Sequence, residues 1–466
     1  MKLIRVASAL ALIACGVPIA APAQGFQLNE IGTCAIARGQ AVTGATCADP
    51  SLIYWNPGAT TTLPGWSAYV GAAAIDVGGG FTADTSGRYY PGAVPVTIAP
   101  HVFVNHTSPD GRWALGLGAY VPYGLTSEWN SDFIGRFEAQ KATLMSIYVQ
   151  PNVAYRFAQG WSIGGGPVFG YSHVELRQAL DLAPQVVDPA TGTTFAQLGI
   201  PGQTEFAMAK LSGGATAWGF DVGIHGSLGP DWEIGARYLS ALTFDYNNAD
   251  ATFTQVQTGL VLAANNPLGL PAGTPIDALV TPEFGSGQPL STQKVSTRIK
   301  NPAQFQVGLG YTGILNTVVS GDFEWTQFSS FAALPVTFEG PAGAAGLDRT
   351  LIEDYRNSWS ARFGLEHRFA VGVKGRAGFT YVSTPAPDAT VTPLLPDMNR
   401  RNYTVGVGIP IDPTYTLDAG YLRVDTSGRR GRVVERTSLN ETAAMLNSGF
   451  YQLHANVFSL SVRANF

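Results

Sequence analysis

Apolar and polar residues alternate in many segments of about ten residues, the length that a tilted strand needs to cross a bilayer. The alternation is clearest over residues 458–466, where the apolar set is Phe458, Leu460, Val462, Ala464 and Phe466 and the polar set is Ser459, Ser461, Arg463 and Asn465. Successive side chains of a strand point to opposite faces, so one face would meet lipid and the other a polar lumen.

Fourteen such segments can be placed between Gly65 and Phe466, including continuous segments at 232–246 and 294–311. Short turns, such as 108–111 with its Pro-Asp-Gly, alternate with long connections. An even number of strands closes the sheet without edges and puts both termini on the periplasmic side. The sequence therefore predicts an all-β fold, a 14-stranded antiparallel transmembrane β-barrel, over residues 65–466.

The predicted barrel is too wide to be filled by the side chains of its own strands. Residues 24–64 precede the first strand, are rich in small residues and contain Cys34 and Cys47. We predict that they form a hatch, an N-terminal plug inside the barrel on the periplasmic side. In an oxidising compartment the two cysteines can form a local disulfide, which in the chain-entropy model contributes about 3 kcal/mol.

Residues 1–23 have the pattern of a secretory signal peptide. Lys2 and Arg5 precede an apolar stretch, and the small residues at 21–23 make a cleavage site. An alternative is a lipobox ending at Cys15, which would lipidate that cysteine. No later run of apolar residues is long enough for a helix that spans the hydrocarbon core.

The composition supports a barrel and disfavours several other classes of protein. Charged residues make up only 13% of the chain, which has 55 Gly, 24 Phe, 18 Tyr and 9 Trp. A formal charge of −5 gives no basic footprint, so we expect no nucleic-acid partner. Dispersed histidines give no metal-ligand spacing, and we expect no metal, no cofactor and no catalytic residues.

Five stretches resemble the FadL/TodX family of outer-membrane transporters for hydrophobic compounds. They are Gly25-Phe26-Gln27-Leu28-Asn29-Glu30, Tyr54-Trp55-Asn56-Pro57-Gly58-Ala59, Val121-Pro122-Tyr123-Gly124-Leu125, Ala217-Trp218-Gly219-Phe220-Asp221 and Leu395-Pro396-Asp397-Met398-Asn399-Arg400. Their order and spacing extend the resemblance over essentially the whole mature chain.

The resemblance implies a monomer in the bacterial outer membrane that takes up long-chain fatty acids or aromatic hydrocarbons by passive diffusion. It also implies that the hatch rearranges and that the ligand leaves sideways at a kink in the third strand. The residues implied are Phe26 in the mobile N-terminus, Asn56, Pro57 and Gly58 in the hatch, Pro122, Tyr123 and Gly124 at the kink, and Asp397 and Arg400 in the wall facing the hatch.

Two features of the residues bear on that scheme. Proline donates no ladder hydrogen bond and glycine weakens a strand, so pairing should break at Pro122-Tyr123-Gly124, either as a kink or as the start of an outer loop. Gly58 stands where the family pattern has alanine, which would loosen the turn. The Cys34 and Cys47 pair is not part of the family pattern, and a disulfide would stiffen the hatch.

Cations near the predicted outer strand ends are candidates for contact with a ligand carboxylate. They are Arg136, Lys141, Arg298 and Lys300. A further basic cluster would meet lipopolysaccharide phosphates or attract the ligand, and consists of Arg429, Arg430, Arg432 and Arg436.

The alternatives to a transporter of hydrophobic compounds are a general porin, a surface adhesin or phage receptor, and an outer-membrane lipid hydrolase that uses His106 and Ser108.

Overall fold

The computed structural model describes residues 25–431 and 448–466. The predicted signal segment, with the alternative site at Cys15, lies outside the described residues, as do Arg432 and Arg436. Within the described ranges, no helix is long and apolar enough to cross a membrane.

Fourteen antiparallel strands form a closed barrel, which confirms the predicted fold class. The strands are β1 (Trp66–Ala83), β2 (Thr97–Thr107), β3 (Trp113–Glu128), β4 (Lys141–Ala158), β5 (Trp161–Asp181), β6 (Glu205–Leu228), β7 (Trp232–Leu239 and Leu242–Gln255), β8 (Gln293–Asn301 and Gln304–Ile314), β9 (Thr317–Thr326), β10 (Ser358–Arg368), β11 (Lys374–Val382), β12 (Arg400–Pro410), β13 (Tyr415–Thr426) and β14 (Gly449–Asn465). Each strand pairs with the next, and β14 pairs with β1 from Asn465 opposite Ser67 to Gly449 opposite Ala83.

The remaining elements are short and lie in the hatch or the outer loops. The α-helices are α1 (Thr33–Ala37), α2 (Leu52–Trp55), α3 (Ile276–Val280) and α4 (Pro341–Ala344). The 3₁₀ helices are Pro57–Thr62, Ile134–Phe137, Ala196–Leu198, Thr281–Phe284, Phe328–Ser330 and Asp388–Thr390. Short strands outside the fourteen are Tyr89–Pro91, Val186–Asp188, Thr193–Thr194, Ala333–Phe338, Arg349–Ile352 and Arg429–Gly431.

The alternation seen in the sequence separates a lipid face from a lumen face. In β10, Trp359 and Phe363 are exposed on the outside, whereas Ser360 and Arg362 are fully buried. The outward Trp66 at the periplasmic end of β1 matches the aromatic girdles of membrane barrels.

The hatch residues described, 25–64, are almost all buried in the lumen. A disulfide joins Cys34 to Cys47. Polar groups tie the hatch to the inner wall: the amide of Thr43 donates to Asp322 at 2.7 Å, and Arg38 donates to Ser320 at 3.1 Å. Because the lumen is filled, buried wall side chains such as Asp322 and Ser320 find partners in the hatch.

The predicted continuous strands at 232–246 and 294–311 are wrong in one respect, because each is interrupted. Leu239 pairs with Gln304, and Leu242 pairs with Asn301, so the two residues between each pair have no ladder partner in the β7–β8 register. One of these four residues is Pro302, which has no N–H to donate. The interruption divides both strands at the same level of the wall.

Close packing of hatch against wall makes a substitution test possible at Gly235 in β7. A Cβ at Gly235 would lie 1.9 Å from the backbone oxygen of Thr43 in the hatch. We expect Gly235→Val to displace the hatch and open the lumen, because the clash involves backbone, while the lipid face stays intact. Single-channel recording should show steady ion conductance that wild type lacks.

Gly321→Val is the matched control, because a Cβ at that outward position meets nothing closer than 3.8 Å. A Gly235→Val barrel that folds and stays as closed as the Gly321→Val barrel would contradict the packing argument.

Candidate functional site

The wall is interrupted inside β3, at the position where the sequence places a kink. β2 pairs with β3 from Thr107 opposite Ala114 up to Val102 opposite Ala119, and no further within the described residues. On its other side β3 pairs with β4, but the register shifts between Tyr120 and Tyr123. Pro122 lies in that shift, so the segment is a kink within the strand and does not begin the outer loop.

The residues Gly25–Leu28, here called the N-terminal segment, occupy the edge that β2 leaves. Gln27 forms an antiparallel bridge with Tyr123. The amide of Leu28 donates to the carbonyl of Pro122, and the amide of Gly124 donates to the carbonyl of Phe26, both at 2.8 Å. The N-terminal segment therefore satisfies backbone groups that the kink would otherwise leave unpaired.

The ring of Phe26 lies in the lumen among three other aromatic rings. Its centroid is 6.0 Å from that of Tyr123, 5.3 Å from Phe328 and 5.1 Å from Phe331. Only 1% of Phe26 is exposed. Burial of a phenylalanine contributes about 1.5–3 kcal/mol, so this ring helps to hold the N-terminal segment in place.

The side chain of Gln27 fixes the same segment to the far wall. Its amide nitrogen donates to Glu324 at 2.8 Å, and its amide oxygen accepts from Thr326 at 3.0 Å. Glu324 also forms a fully buried ion pair with Arg362 at 2.8 Å. Sequence reasoning had not singled out these wall residues, and only their polar character among apolar neighbours could have indicated them.

A cavity beside Gly25, here called the inner cavity, is lined by apolar and polar side chains. The apolar part includes Val77, Leu125, Trp129, Leu395 and Leu453, and the polar part includes Ser127, Glu128, Asp397 and Arg400. Arg400 forms a short ion pair with Asp397, whose carboxylate also accepts from Thr384 at 2.5 Å. The two predicted wall residues thus meet at one cavity that the N-terminal segment touches.

Asn56, Pro57 and Gly58 lie at a different place, where the hatch packs on the wall. The Asn56 amide donates to the carbonyl of Thr43 at 2.8 Å and to that of Ile224 at 3.0 Å. A Cβ at Gly58 would come within 2.5 Å of the Gly223 oxygen. Glycine here permits a close approach of two backbones, so its effect is tighter packing of the hatch, contrary to the looser turn expected.

Comparison with known proteins identifies the family. The family model described as "Outer membrane protein transport protein (OMPP1/FadL/TodX)" matches residues 14–466. The chain belongs to this family. It is accordingly a β-barrel protein of the outer membrane, and the family consists of transport proteins.

Relatives of the chain include a putative outer membrane protein of Neisseria meningitidis, which is 24% identical over 91% of this chain and 90% of the relative. The long-chain fatty acid transport protein of Escherichia coli is 23% identical over 89% of each chain. Among solved structures, a FadL homologue of Pseudomonas aeruginosa has a TM-score of 0.75 at 20% identity, over 95% of this chain and 100% of that one. The toluene transporter TodX of Pseudomonas putida has a TM-score of 0.66 at 16% identity, with the same coverage.

In this FadL/TodX-family barrel, the four cations proposed as carboxylate contacts do not line the inner cavity. Arg136 pairs with Glu205 at 2.8 Å, and Lys141 pairs with Glu128 at 3.2 Å. Arg298 and Lys300 face outward and line a separate cavity. The described members of the basic cluster are also paired, Arg429 with Asp388 and Arg430 with Asp84, both at 2.6 Å.

The two residues considered for a hydrolase do not form a catalytic pair. The hydroxyl of Ser108 donates to Asp110 at 2.5 Å, and the ring of His106 packs on Trp66 at 4.5 Å. These contacts are those of a periplasmic turn and an aromatic girdle.

Glu30 follows the N-terminal segment and is buried near two cations. Its carboxylate accepts from the amide of Asn29 at 2.9 Å. Burial raises the pKa of Glu30 to about 6, although the Asn29 amide and the charges of Arg400 and Arg362 oppose the increase.

We expect this shift to make docking of the N-terminal segment pH-dependent. The folded-state pKa lies above the ordinary value of 4.5, so docking is most stable below that value and weakens as pH rises through about 6. The loss is about 2 kcal/mol for a shift of this size. Hydrogen exchange of residues 25–32, corrected for intrinsic rates, should show stronger protection at low pH, and Glu30→Gln should remove the difference. Equal pH dependence in wild type and variant would contradict the assignment.

Proposed function

We propose that this outer-membrane protein takes up hydrophobic compounds by passive diffusion and that long-chain fatty acids are its preferred ligands. The observation that carries the preference is the presence of Arg400 in a largely apolar cavity. A fatty acid needs a cation beside an apolar slot, whereas an aromatic hydrocarbon needs only the slot. The names of the relatives, a fatty acid transporter and a toluene transporter, span the same two classes.

Arg400 is suited to hold a carboxylate. A guanidinium carries five N–H donors in a fixed fork, and Asp397 accepts from one of its nitrogens. Asp397 thereby orients the guanidinium while other donors stay available to a ligand. Leu125, Leu395 and Leu453 would contact the acyl chain.

The route out of the inner cavity is sideways at the kink in β3. The N-terminal segment closes the space between β2 and β3 through its hydrogen bonds to Pro122 and Gly124. Its release would open the wall next to the cavity that Gly25 lines. We therefore propose that ligand binding beside Gly25 triggers the rearrangement of the hatch. Only the N-terminal segment moves, because the disulfide restrains the hatch from Cys34 onward.

Other functions are less well supported. A lumen filled by the hatch argues against a general porin. Closure of β14 on β1 joins the two ends of the described sheet, so neither terminal strand is left to pair with a second copy, which supports a monomer surrounded by lipid and lipopolysaccharide. No enzymatic step and no cofactor form part of the proposal.

The ligand assignment can be tested with labelled oleate and toluene on the refolded barrel. The double variant Asp397→Asn/Arg400→Gln removes both members of the ion pair together, so neither is left without the other. We expect it to weaken oleate binding by roughly tenfold, because a hydrogen bond to a charged group is lost, and to leave toluene binding unchanged.

Arg423→Gln is the control, because Arg423 lies in β13, pairs with Asp425 and does not line the cavity. Oleate affinity that is equal in all three proteins would exclude Arg400 as the carboxylate contact. Toluene binding without oleate binding in wild type would favour a hydrocarbon channel.

The lateral exit can be tested at Gly124, where a Cβ would lie 2.7 Å from the Leu28 side chain. We expect Gly124→Val to lower fatty acid uptake several-fold in a folded barrel, because the new side chain occupies the kink. The double variant Leu28→Ala/Gly124→Val restores room for the N-terminal segment while the kink stays filled. Uptake should remain low in the double variant; recovery would mean that only the displaced segment had mattered.

A further inference from the structure

The barrel wall has a second interruption, in the outer half of β8. Among the described residues, Arg298–Asn301 pair with β7 but have no ladder partner on the β9 side. Pairing with β9 stops at Gln304 opposite Thr326, and pairing with the loop strand Ala333–Phe338 stops at Thr297 opposite Val336. The 3₁₀ helix Phe328–Ser330 and Phe331 follow β9 along this gap.

A cavity, here called the wall cavity, opens on the outer side of the gap. It is lined by Thr243, Arg298 and Lys300 from the strands and by Ser330, Phe331, Ala333 and Pro335 from the loop. Thr243 in β7 and Arg298 in β8 are exposed. Ile299 and Asn301, the alternate residues of β8, are buried toward the lumen. The wall cavity therefore lies outside the barrel, apart from the inner cavity.

The ring of Phe331 connects the wall cavity with the aromatic cluster of the lumen. Phe331 lines the wall cavity, and its ring centroid is 5.1 Å from that of Phe26 in the N-terminal segment. On the lumen side, the hydroxyl of Tyr123 at the β3 kink donates to the carbonyl of Pro302 at 2.5 Å. The N-terminal segment thus contacts both wall interruptions.

The charge at the wall cavity is positive. Arg298 forms an ion pair with Asp245, and the described residues show no ion pair for Lys300. Two cations and one anion leave a net positive charge beside the apolar groups of Phe331, Ala333 and Pro335. An anionic head group attached to an acyl chain matches this combination.

The position of the wall cavity matches the head-group level of the outer leaflet. Tyr238, Phe305, Trp325 and Trp359 are aligned in register across β7 to β10 and form an outward aromatic row. Such rows mark the membrane interface of barrels. Lys300 lies on the outer side of this row along β8, where lipid head groups are found.

We propose that the gap at β8 is a lateral portal for single-chain anionic amphiphiles in the outer leaflet. Lys300, together with Arg298, holds the head group, and Phe331 closes the portal against Phe26. The ligand would be a long-chain carboxylate that has already partitioned into the membrane, so this proposal rests on the proposed function and adds a second way into the same lumen.

Photolabelling of the full-length mature protein in phosphatidylcholine liposomes tests the head-group site. The probe is palmitate with a diazirine beside the carboxyl group. We expect labelling within residues 298–300 and 330–335 of wild type, and roughly tenfold weaker labelling in Lys300→Gln. Lys294→Gln is the matched control, because Lys294 is an exposed cation of the same strand that pairs with Asp250 and does not line the cavity.

Loading kinetics test the gate. We expect Phe331→Ala to raise several-fold the rate at which oleate preloaded into the bilayer reaches the lumen. Phe338→Ala is the control, because Phe338 ends the loop strand that follows Phe331, packs on Phe253 and does not line the wall cavity. Equal rates in the two variants, or labelling of these residues by a photoreactive lipid A and not by palmitate, would overturn the portal.

The two proposals fail in different ways. Wild type that binds no oleate presented from water contradicts the proposed function. Wild type that binds oleate from water, with no palmitate label at β8, leaves the proposed function standing and excludes the portal.

Discussion

Backbone hydrogen bonding in the wall is the constraint on which the rest of this structure depends. A strand in lipid has no water to satisfy its amides and carbonyls, so every break in a ladder needs a substitute partner. At the β3 kink the N-terminal segment is that substitute, through Leu28 to Pro122 and Gly124 to Phe26. Closure of the wall and docking of the N-terminus therefore use the same hydrogen bonds, and in the proposed mechanism a ligand that released the segment would also open the wall.

Buried charge distinguishes the contacts of the central hatch from those of its first residues. The wall ion pairs Arg237 with Asp221 and Arg362 with Glu324 are fully buried, and the two guanidinium groups lie 4.0 Å and 5.6 Å from the rings of Tyr54 and Trp55 in the hatch. The N-terminal segment has no charged side chain of its own and is held chiefly by Gln27 and by the ring of Phe26. The hydrogen bond from Gln27 to the carboxylate of Glu324 contributes about 1.5–3 kcal/mol, and Glu324 keeps its ion pair with Arg362 if Gln27 leaves.

The barrel could be predicted from the sequence because period-two alternation persists through each strand. The break at Pro122 could be predicted because proline cannot donate. The outward orientation of Arg298 and Lys300 could not be predicted from the sequence. On the periplasmic side of the interruption in β8, the even-numbered residues Gln304 and Gln306 face the lumen. If that alternation continued toward the outer end of the strand, Arg298 and Lys300 would also face the lumen. The break at 302–303 makes the odd-numbered residues face the lumen instead. Only the pairing of the strands, with Leu239 opposite Gln304 and Leu242 opposite Asn301, reveals this change.

Placement of both wall interruptions against one segment has a mechanistic consequence. Phe26 contacts Tyr123 at the β3 kink and Phe331 at the β8 gap, while Tyr123 itself bonds to Pro302. Movement of Phe26 would remove packing from both places at once. Both proposed openings depend on whether Phe26 is docked or released. An amphiphile that displaced Phe331 at the β8 gap would therefore weaken the docking of Phe26 that closes the β3 kink. Coupling of this kind needs no long pathway, because the shared element is in direct contact with both sites.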